Sequence, residues 1–457
     1  MLRGRPGPGV RRLPDRGLDM TQATIAHGTG NGDGGGLRYQ GKTGVTARLL
    51  FDRWYDELAR APEEGKKTVY FFTAGNISEL TRTFGMVTAL PEVTSIQSSA
   101  KKQYPYYASL AESYGISADI CGFVIADVGL HLNDRQHIKV KIPKPDLVIC
   151  NDVCQVYIKW AEIWERFYGC PVFVIDIPGS RSAAGYDPET YQTDRRYVVE
   201  QLKELVELLE RVTGQKFDID KLRQNMALMN RQAEAWTKIL QMNRHVPAPF
   251  DAWAEGPLFM GGFNVRRGTD EPIHFLEDVV LPEMQERIDH GITPVQEERF
   301  RLYMYGSPCY AYHRRFAELF HENGAVFAYS SYVSGIIGGW DRGFRYDLED
   351  PLGSIADMLN LQVTANYAGE YFRAIDFAKR FVDEYSCDGT VWHGIKSCRL
   401  ATAAVADFRE HFQERFGIPA LLLETDIVDP RYFAEAQLKN RIDAFIESLA
   451  QRKLYRA

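Results

Sequence analysis

Short β-rich runs that alternate with helical stretches are the feature that most restricts what this chain can fold into. From about residue 66 to 180 the runs include "TVYFFT", "EVTSIQ", "DLVIC" and "VFVIDIP", and from about 297 a second series holds "FRLYMYG", "AVFAYSS", "GTVWHG" and "ALLLETD". Strands that are separated by helices pair in parallel through right-handed crossovers. The pattern therefore predicts an α/β fold with two doubly wound parallel-sheet lobes.

Long amphipathic segments with hardly a strand signal lie between the two series. "YVVEQLKELVELLERV" and "DKLRQNMALMNRQAEAWTKIL" carry apolar residues at helical spacing, which predicts a helical region that joins the lobes. We expect residues 1–45 to be a disordered Gly/Pro-rich lead, because so few apolar residues cannot offset the entropy of ordering. Met20 fits an alternative translation start, and the sequence leaves Met1 and Met20 both open. The other predicted regions are an N-terminal α/β lobe at 46–185, a helical connecting region at 186–296 and a C-terminal α/β lobe at 297–457.

The charge and the lack of long apolar runs argue against several kinds of partner. A net charge of -7 without a long Lys/Arg block argues against nucleic acid and anionic membranes. No run of about 18 apolar residues occurs, and the N-terminus lacks the apolar core of a secretory signal, so we expect a cytoplasmic protein. The seven cysteines are then expected to be reduced thiols, available for burial, metal binding or catalysis.

The segment "GLRYQGKT", residues 36–43, matches the phosphate-loop pattern G-x-x-x-x-G-K-[ST]. That motif needs a strand before the loop and a helix after it, so that backbone N–H groups converge on phosphate. The Gly-rich residues before Gly36 cannot form a central strand. We therefore expect that this segment binds no nucleotide, and that any ATP hydrolysis belongs to a partner.

Three cysteines lie in connections where a ligand crevice is expected, because open parallel sheets bind ligands beyond the carboxyl ends of their strands. Cys154 follows "DLVIC" at the start of a helix that favours a thiolate, Cys398 follows "GTVWHG", and Cys121 lies in another connection. Taken alone, a scattered cysteine is more often a core residue than a metal ligand. Of the others, we expect Cys150 in the sheet core, Cys170 and Cys387 as structural residues, and Cys309 as a further candidate ligand.

The cysteine segments and the C-terminal segment carry a family resemblance. The spacing of Cys121 and Cys154, "VWHGIKSCRL" around Cys398, and the closing "GIPALLLETDIVDPRYFAEAQLKNRIDAFIESL" resemble the 2-hydroxyacyl-CoA dehydratase and class I benzoyl-CoA reductase superfamily. The resemblance covers nearly all of the chain after about residue 46 and is strongest to the larger (B-type) iron–sulfur subunits of ATP-dependent benzoyl-CoA reductases. It implies one [4Fe-4S] cluster bound by Cys121, Cys154 and Cys398, with one iron left open for another ligand.

The resemblance also implies an activity and a set of partners. The activity is the two-electron reduction of benzoyl-CoA to a cyclohexadienoyl-CoA. The implied partners are a similar second iron–sulfur subunit, an ATPase subunit pair with a bridging [4Fe-4S] cluster, and ferredoxin as the indirect electron donor. Two alternatives stay open, a component of a 2-hydroxyacyl-CoA dehydratase and a structural subunit whose cluster never contacts substrate. Gln155 after Cys154, where dehydratases commonly carry Asp, favours the reductase branch.

Two residues are candidate proton donors. Glu79 follows the strand "TVYFF" and matches a carboxylate that is common near the cluster in the superfamily, although a glutamate on a helix surface is the alternative. His393, five residues before Cys398, is a candidate donor of a proton or a hydrogen bond, although a lone histidine is more often structural. Glu424 and Asp426 fit a capping role, and Tyr303, Tyr305, Tyr310 and Tyr312 fit either an aryl pocket or the core.

Overall fold

Two four-stranded parallel sheets organise the part of the chain that the computed structural model describes, which is residues 41–138, 140–178, 187–335, 339–366 and 371–456. The strands are β1 (Thr68–Phe71), β2 (Val87–Ala89), β3 (Leu147–Asn151), β4 (Val172–Ile175), β5 (Phe300–Tyr305), β6 (Ala325–Ser330), β7 (Gly389–Ile395) and β8 (Ala420–Thr425). Helices flank each sheet, so the predicted α/β fold with two parallel-sheet lobes is confirmed. The N-terminal lobe is β1–β4 with their helices, and the C-terminal lobe is β5–β8 with theirs.

Helices connect the strands within each lobe and also join the two lobes. The α-helices are α1 (Lys42–Arg60), α2 (Ser78–Thr81), α3 (Pro91–Ala100), α4 (Tyr104–Tyr114), α5 (Gly122–Leu132), α6 (Gln155–Tyr168), α7 (Pro188–Thr213), α8 (Ile219–Met242), α9 (Gly256–Asn264), α10 (Glu271–His274), α11 (Leu281–Asp289), α12 (His313–His321), α13 (Ser331–Gly335), α14 (Pro351–Asn366), α15 (Tyr371–Glu384), α16 (Arg399–Thr402), α17 (Val405–Phe416) and α18 (Glu435–Arg456). Helices α7 to α11 lie between β4 and β5 and form the predicted helical region, whereas the residue boundaries predicted for the four regions stay a prediction. Within the described ranges, no helix has both the length and the apolarity to cross a bilayer.

The strand order is the same in both sheets and shows where a ligand crevice is expected. The orders are β2-β1-β3-β4 and β6-β5-β7-β8, with Phe71 opposite Ile149 and Tyr305 opposite Trp392. Successive connections therefore change direction between β1 and β3, and again between β5 and β7. Open parallel sheets bind ligands beyond the carboxyl ends of the strands at such a reversal. The connections after these four strands are the places to look for a site.

One strand of the N-terminal lobe differs from the expectation. The run "EVTSIQ" was predicted as a strand but is part of α3, and β2 is instead Val87–Ala89, which lies outside the runs predicted as strands. Pro91 is the first residue of α3, where its fixed φ suits a helix start and its missing N–H leaves no bond unmade. Val93 and Thr94 are buried on this helix, and their packing outweighs their preference for strands.

The connections after β7 and β8 are held against the N-terminal lobe, and all described residues belong to one compact unit. Ser99 Oγ donates a hydrogen bond to the carbonyl oxygen of Val428 at 2.6 Å, and the Gly122 N–H donates to Ser397 Oγ at 3.1 Å. A Cβ atom on residue 122 would lie 2.7 Å from Val428 Cγ2. Only glycine therefore lets the two lobes approach this closely.

The start of α1 is closed by a carboxylate. Residues 1–40 lie outside the described residues, and with them most of the predicted lead, Met20 and the first part of the phosphate-loop-like segment. In the first turn of α1 the Thr43 N–H donates to Glu283 Oε2 at 2.8 Å, and Glu283 also accepts a hydrogen bond from Arg287 at 2.8 Å. A phosphate bound at this helix start would need backbone N–H groups such as that of Thr43, which Glu283 already occupies. The contact thus favours the prediction that the segment binds no nucleotide.

Candidate metal centre at the sheet edges

Cys121, Cys154 and Cys398 each stand directly before a helix. Cys121 precedes α5, Cys154 lies between β3 and α6, and Cys398 lies between β7 and α16. Because β3 and β7 hold the same place in their sheets, Cys154 and Cys398 occupy equivalent positions in the two lobes. All three cysteines are half-buried, so their thiols are neither sealed in the core nor free at the surface.

Cys398 lies close enough to Cys121 and Cys154 to raise the pKa of both thiols. Burial raises the pKa of Cys121 well above its usual value, and Cys398 and Cys154 raise it further. Burial also raises the pKa of Cys154 to about 11, and Cys398 adds to that rise. The start of α6 lowers the pKa of Cys154, as expected, but burial has the larger effect. The structure thus brings together the three cysteines that the sequence singled out.

Asp426 fixes the connection that carries Cys398. Its Oδ2 accepts a hydrogen bond from the Ser397 N–H at 2.9 Å, and its Oδ1 accepts from the N–H groups of Val428 and Asp429 at 3.1 and 3.0 Å. The side chain is fully buried, so these bonds are not exchanged with water. Asp426 therefore does more than cap the end of β8, because it ties the connection after β8 to the connection after β7.

The remaining cysteines occupy other surroundings. Cys150 is 3 % exposed on β3 and packs in the sheet core, as expected. Cys170 is also buried. Cys309 is fully buried, and its pKa is raised to about 11 by that burial while the Thr425 hydroxyl lowers it. Cys387 is half-buried just before β7, at the opposite end of that strand from Cys398.

Glu92 carries no distinctive signal in the sequence, yet it lies beside the three cysteines. It stands in the first turn of α3, after β2, and is 5 % exposed. Its carboxylate accepts hydrogen bonds from the Thr73 N–H at 2.5 Å and from Tyr157 OH at 2.9 Å. Burial raises the pKa of Glu92, and these bonds only partly offset that rise. Its charge raises the pKa of all three candidate thiols. A correct placement of β2 would have marked Glu92 as a residue at a strand end.

Glu79 is not on a helix surface but fully buried on α2, after β1. Arg267 donates two hydrogen bonds to its carboxylate at 2.8 and 3.1 Å, and Tyr346 OH donates a third at 2.5 Å. Burial alone would lower the pKa of Arg267, but the charge of Glu79 raises it above its usual value. Glu79 is thus part of a buried ion pair, and its role in proton transfer stays a prediction.

His393 is fully buried on β7, and both of its ring nitrogens have partners. Nδ1 lies 2.7 Å from the Ser307 carbonyl oxygen, and Nε2 lies 2.7 Å from Thr425 Oγ1. Because a carbonyl can only accept, Nδ1 donates to it and Nε2 accepts from the hydroxyl of Thr425. Burial lowers the pKa of His393 to about 4, which keeps the ring neutral at pH 7. A role for His393 in proton transfer stays a prediction.

The four tyrosines that fit an aryl pocket or the core divide into two groups. Tyr303 is buried in the core of the C-terminal lobe, whereas Tyr312 is 36 % exposed. Burial raises the pKa of Tyr305 to about 12, and the nearby Cys398 adds to the rise. Tyr310 is half-buried in the connection after β5. Tyr305 and Tyr310 are thus the two that border the carboxyl edge of the sheet.

The donor set fits an iron–sulfur cluster by type rather than a single metal ion. No three His, Cys, Asp or Glu side chains within the described ranges are arranged to hold a metal ion. In a [4Fe-4S] cluster each thiolate binds a different iron, so its ligands stand farther apart than those of one ion. Three half-buried cysteines supply the soft thiolate donors that such clusters use. The residues present therefore fit the group that the resemblance implies.

Fold and site together define an α/β protein of two parallel-sheet lobes, with three cysteines where the carboxyl edges of the lobes approach each other. A family model described as "2-hydroxyglutaryl-CoA dehydratase, D-component" matches residues 77–449. The chain belongs to this family. The matched residues include all three cysteines, Glu79 and Glu92.

The similar proteins include subunits of both reductases and dehydratases. The B-type subunit of the benzoyl-CoA reductase of Thauera aromatica is 34% identical over 410 residues, which cover 87% of this chain and 92% of the relative. The (R)-phenyllactyl-CoA dehydratase alpha subunit of Clostridium sporogenes is 27% identical over 401 residues, covering 86% and 92%. The (R)-2-hydroxyisocaproyl-CoA dehydratase alpha subunit of Clostridioides difficile is 25% identical over 420 residues, covering 90% and 96%. All three names describe subunits of larger enzymes.

Proposed function

We propose that this chain is an iron–sulfur subunit of an ATP-dependent benzoyl-CoA reductase and takes part in the two-electron reduction of benzoyl-CoA to a cyclohexadienoyl-CoA. The observation that carries the proposal is the convergence of three thiols from two lobes beside a buried carboxyl group. The similarity to a benzoyl-CoA reductase subunit, at 34% identity over 87% of this chain, supports the reductase branch.

Cys121, Cys154 and Cys398 would hold one [4Fe-4S] cluster. When bound by three thiolates, such a cluster has one iron open to a further ligand and supplies electrons at low potential. The chain's own part is to position the thiols. Asp426 orders the connection around Cys398, and Gly122 allows the N-terminal lobe to approach it.

Reduction of an aromatic ring also consumes protons, so an acid beside the thiols is needed. Glu92 is the best-placed candidate, because Thr73 and Tyr157 orient its carboxyl group and burial raises its pKa. Glu79, which matches a carboxylate of the superfamily, and His393, which lies five residues before Cys398, are the candidates that the sequence offered. The carboxylate of Glu79 differs from that of Glu92 in having a charged partner, Arg267, and both ring nitrogens of His393 have hydrogen-bond partners.

The proposed complex needs partners for electrons and ATP. These are a similar second iron–sulfur subunit, an ATPase pair with a bridging [4Fe-4S] cluster, and ferredoxin as the indirect donor. The carboxylate at the start of α1 supports the assignment of ATP hydrolysis to a partner. Benzoyl-CoA is the proposed substrate and the cytoplasm the proposed location, with no nucleic acid or membrane involved.

A 2-hydroxyacyl-CoA dehydratase component is the second candidate function. The description of the matching family and the 27% identity to a phenyllactyl-CoA dehydratase alpha subunit favour it. The same crevice and the same thiols would serve it. The two reactions differ in electron use, because a dehydration returns as many electrons as it borrows, whereas a reduction consumes them.

Anaerobic co-purification of the chain with its native partners tests the proposal. Iron, sulfide, benzoyl-CoA turnover and electrons consumed would be measured on one preparation. We expect a cluster in this chain and two electrons consumed for each product. Conversion of a 2-hydroxyacyl-CoA without net electron consumption would assign the dehydratase function. A complex without iron in this chain would overturn both candidates.

A further inference from the structure

Two phenols form a pair at the carboxyl edge of the C-terminal sheet. Tyr310 lies in the connection after β5, and Tyr332 stands in the first turn of α13, directly after β6. Their hydroxyl oxygens are 2.9 Å apart, and their rings meet edge to face with centroids 6.4 Å apart. The Tyr310 N–H is anchored on the Ile427 carbonyl oxygen at 2.8 Å. The pair therefore involves the connections that follow three strands of this sheet, β5, β6 and β8.

The pair has one O–H proton more than it uses. Two phenols own two O–H protons, and the single hydrogen bond between them occupies one of these, whichever oxygen donates. In the described part of the chain, no acceptor is placed to take the other proton. Burial raises the pKa of both phenols, so both keep their protons at neutral pH. The pair thus presents a hydrogen-bond donor.

The pair and the candidate metal centre have a common neighbour in Glu92. The charge of Glu92 raises the pKa of Tyr310 and Tyr332, and it also raises the pKa of the three candidate thiols. Tyr332 and Glu92 also occupy equivalent positions in the two lobes. Glu92 follows β2 and Tyr332 follows β6, and these strands hold the same place in their sheets. Other phenols nearby are engaged differently, because Tyr157 already donates to Glu92.

We infer that Tyr332, oriented by Tyr310, donates a hydrogen bond to the carbonyl oxygen of an acyl-CoA thioester. The inference rests on the proposed function only for the class of ligand, and both candidate reactions use an acyl-CoA. A thioester carbonyl accepts hydrogen bonds and cannot donate them, and its oxygen gains negative charge when the conjugated system takes up an electron. The phenol keeps its proton, so no bond is broken in this step.

A comparison of two ligands on the assembled complex tests the inference without turnover. Benzoyl-CoA and its thioether analogue, in which a methylene replaces the carbonyl, would be titrated calorimetrically without ATP or reductant. We expect the wild type to bind the thioester about three- to tenfold more tightly, which is what one neutral hydrogen bond provides. In Tyr332→Phe this preference should fall to about one, and in Tyr310→Phe it should shrink but not vanish. Tyr312→Phe, an exposed phenol of the same connection, is the matched control and should keep the preference.

Three outcomes would overturn the inference. These are an unchanged preference in Tyr332→Phe, an equal loss of affinity for both ligands in that variant, or no preference in the wild type. Iron content and thermal midpoint would be recorded for each variant, and Tyr310→Phe gives a second reading should Tyr332→Phe fold poorly. A complex that proves to be a dehydratase would be titrated with a 2-hydroxyacyl-CoA and its thioether. Failure of the proposed function is then distinguished from failure of the phenol assignment.

Discussion

At the scale of residues, position at a helix start separates the candidate ligands from cysteines within the sheet or entering it. We expect Cys121→Ala, Cys154→Ala and Cys398→Ala each to abolish the cluster signal of this chain, because a cluster that loses one of three thiolates is left with two. Cys150→Ala and Cys170→Ala, both buried, are the matched controls and should keep it. Iron and sulfide per chain, measured anaerobically, decide the matter. Full iron content in any of the first three variants would remove that residue from the site.

Glu92 should make the stability of the protein depend on pH. Burial raises its pKa in the folded protein, so the folded state binds the proton more tightly than the unfolded chain does. The stability contributed by the neutral carboxyl group is therefore complete below the usual glutamate pKa and is lost as the pH rises through the raised value. Glu92→Gln has no proton to lose. Its thermal midpoint relative to the wild type should rise with pH across this interval.

Turnover of the same Glu92→Gln variant tests the catalytic role. Proton transfer by a positioned group contributes about a hundredfold or more to a rate, so benzoyl-CoA reduction should slow by at least that factor while iron content is kept. Glu424→Gln, an exposed carboxylate at the end of β8, should be silent in both measurements. Wild-type turnover in Glu92→Gln would end the proposal for this residue.

Glu79→Gln should first of all destabilise the fold. Removing one charge from a buried ion pair leaves Arg267 uncompensated, which typically costs about 3–5 kcal/mol of unfolding free energy. Changing both partners, as Glu79→Gln with Arg267→Gln, should recover much of that loss, because no buried charge remains. Thermal midpoints of the single and double variants measure this. Turnover of a stable double variant then separates the roles, since a slow enzyme with an intact cluster would support proton transfer by Glu79.

The sequence predicted the place of a candidate site residue wherever it also showed where the preceding strand ends. Cys154 and Cys398 follow long apolar runs, so their place at the carboxyl edge was predictable. Glu92 was not, because β2 has three residues and the run after it contains Val and Thr, which resemble a strand. The hydrogen-bond partners of Glu79 could not be predicted from the sequence either, because Arg267 is 188 positions away and contacts Glu79 only through tertiary packing.

At the scale of elements, one connection supports another. Asp426, after β8, accepts three backbone hydrogen bonds, one of them from Ser397 in the connection after β7. Asp426→Ala would leave three N–H groups without an acceptor, and the two on the buried residues Val428 and Asp429 cost about 1–3 kcal/mol each. We expect a lower thermal midpoint and reduced iron content, because the backbone beside Cys398 loses its fixed position. Glu424→Ala, two positions away and exposed, should change neither, and equal behaviour of the two variants would refute this role.

The elements themselves were mostly predictable. Long apolar runs bounded by helical periodicity gave seven of the described strands, because a parallel sheet buries both faces of its strands and so needs such runs. The strand order was beyond the sequence pattern. It depends on which side each crossover helix packs, and this is decided by contacts between distant residues.

At the scale of the whole molecule, the two lobes repeat one strand order and differ in one respect that matters. Cys154 and Cys398 occupy equivalent positions, whereas Cys121, before α5, has no cysteine as its counterpart among the described residues of the C-terminal lobe. The candidate site therefore has three thiols, one fewer than the four irons of a [4Fe-4S] cluster. Under the proposed function, the open iron follows from this break in the internal repeat.

Under the proposed function the cluster's ligands come from both lobes, so a bound cluster would also act as a covalent cross-link between them. Without it, the lobes depend on bonds such as Ser99 to Val428 and Gly122 to Ser397. Removing iron with a chelator should therefore speed hydrogen exchange at the starts of α5 and α16, as measured by mass spectrometry, while the middle of β3 exchanges as before. Unchanged exchange at both helix starts would contradict a shared cluster. If the cluster does link the lobes, oxygen, which destroys such clusters, harms this protein in two ways. Electron transfer is lost, and the two lobes are free to separate.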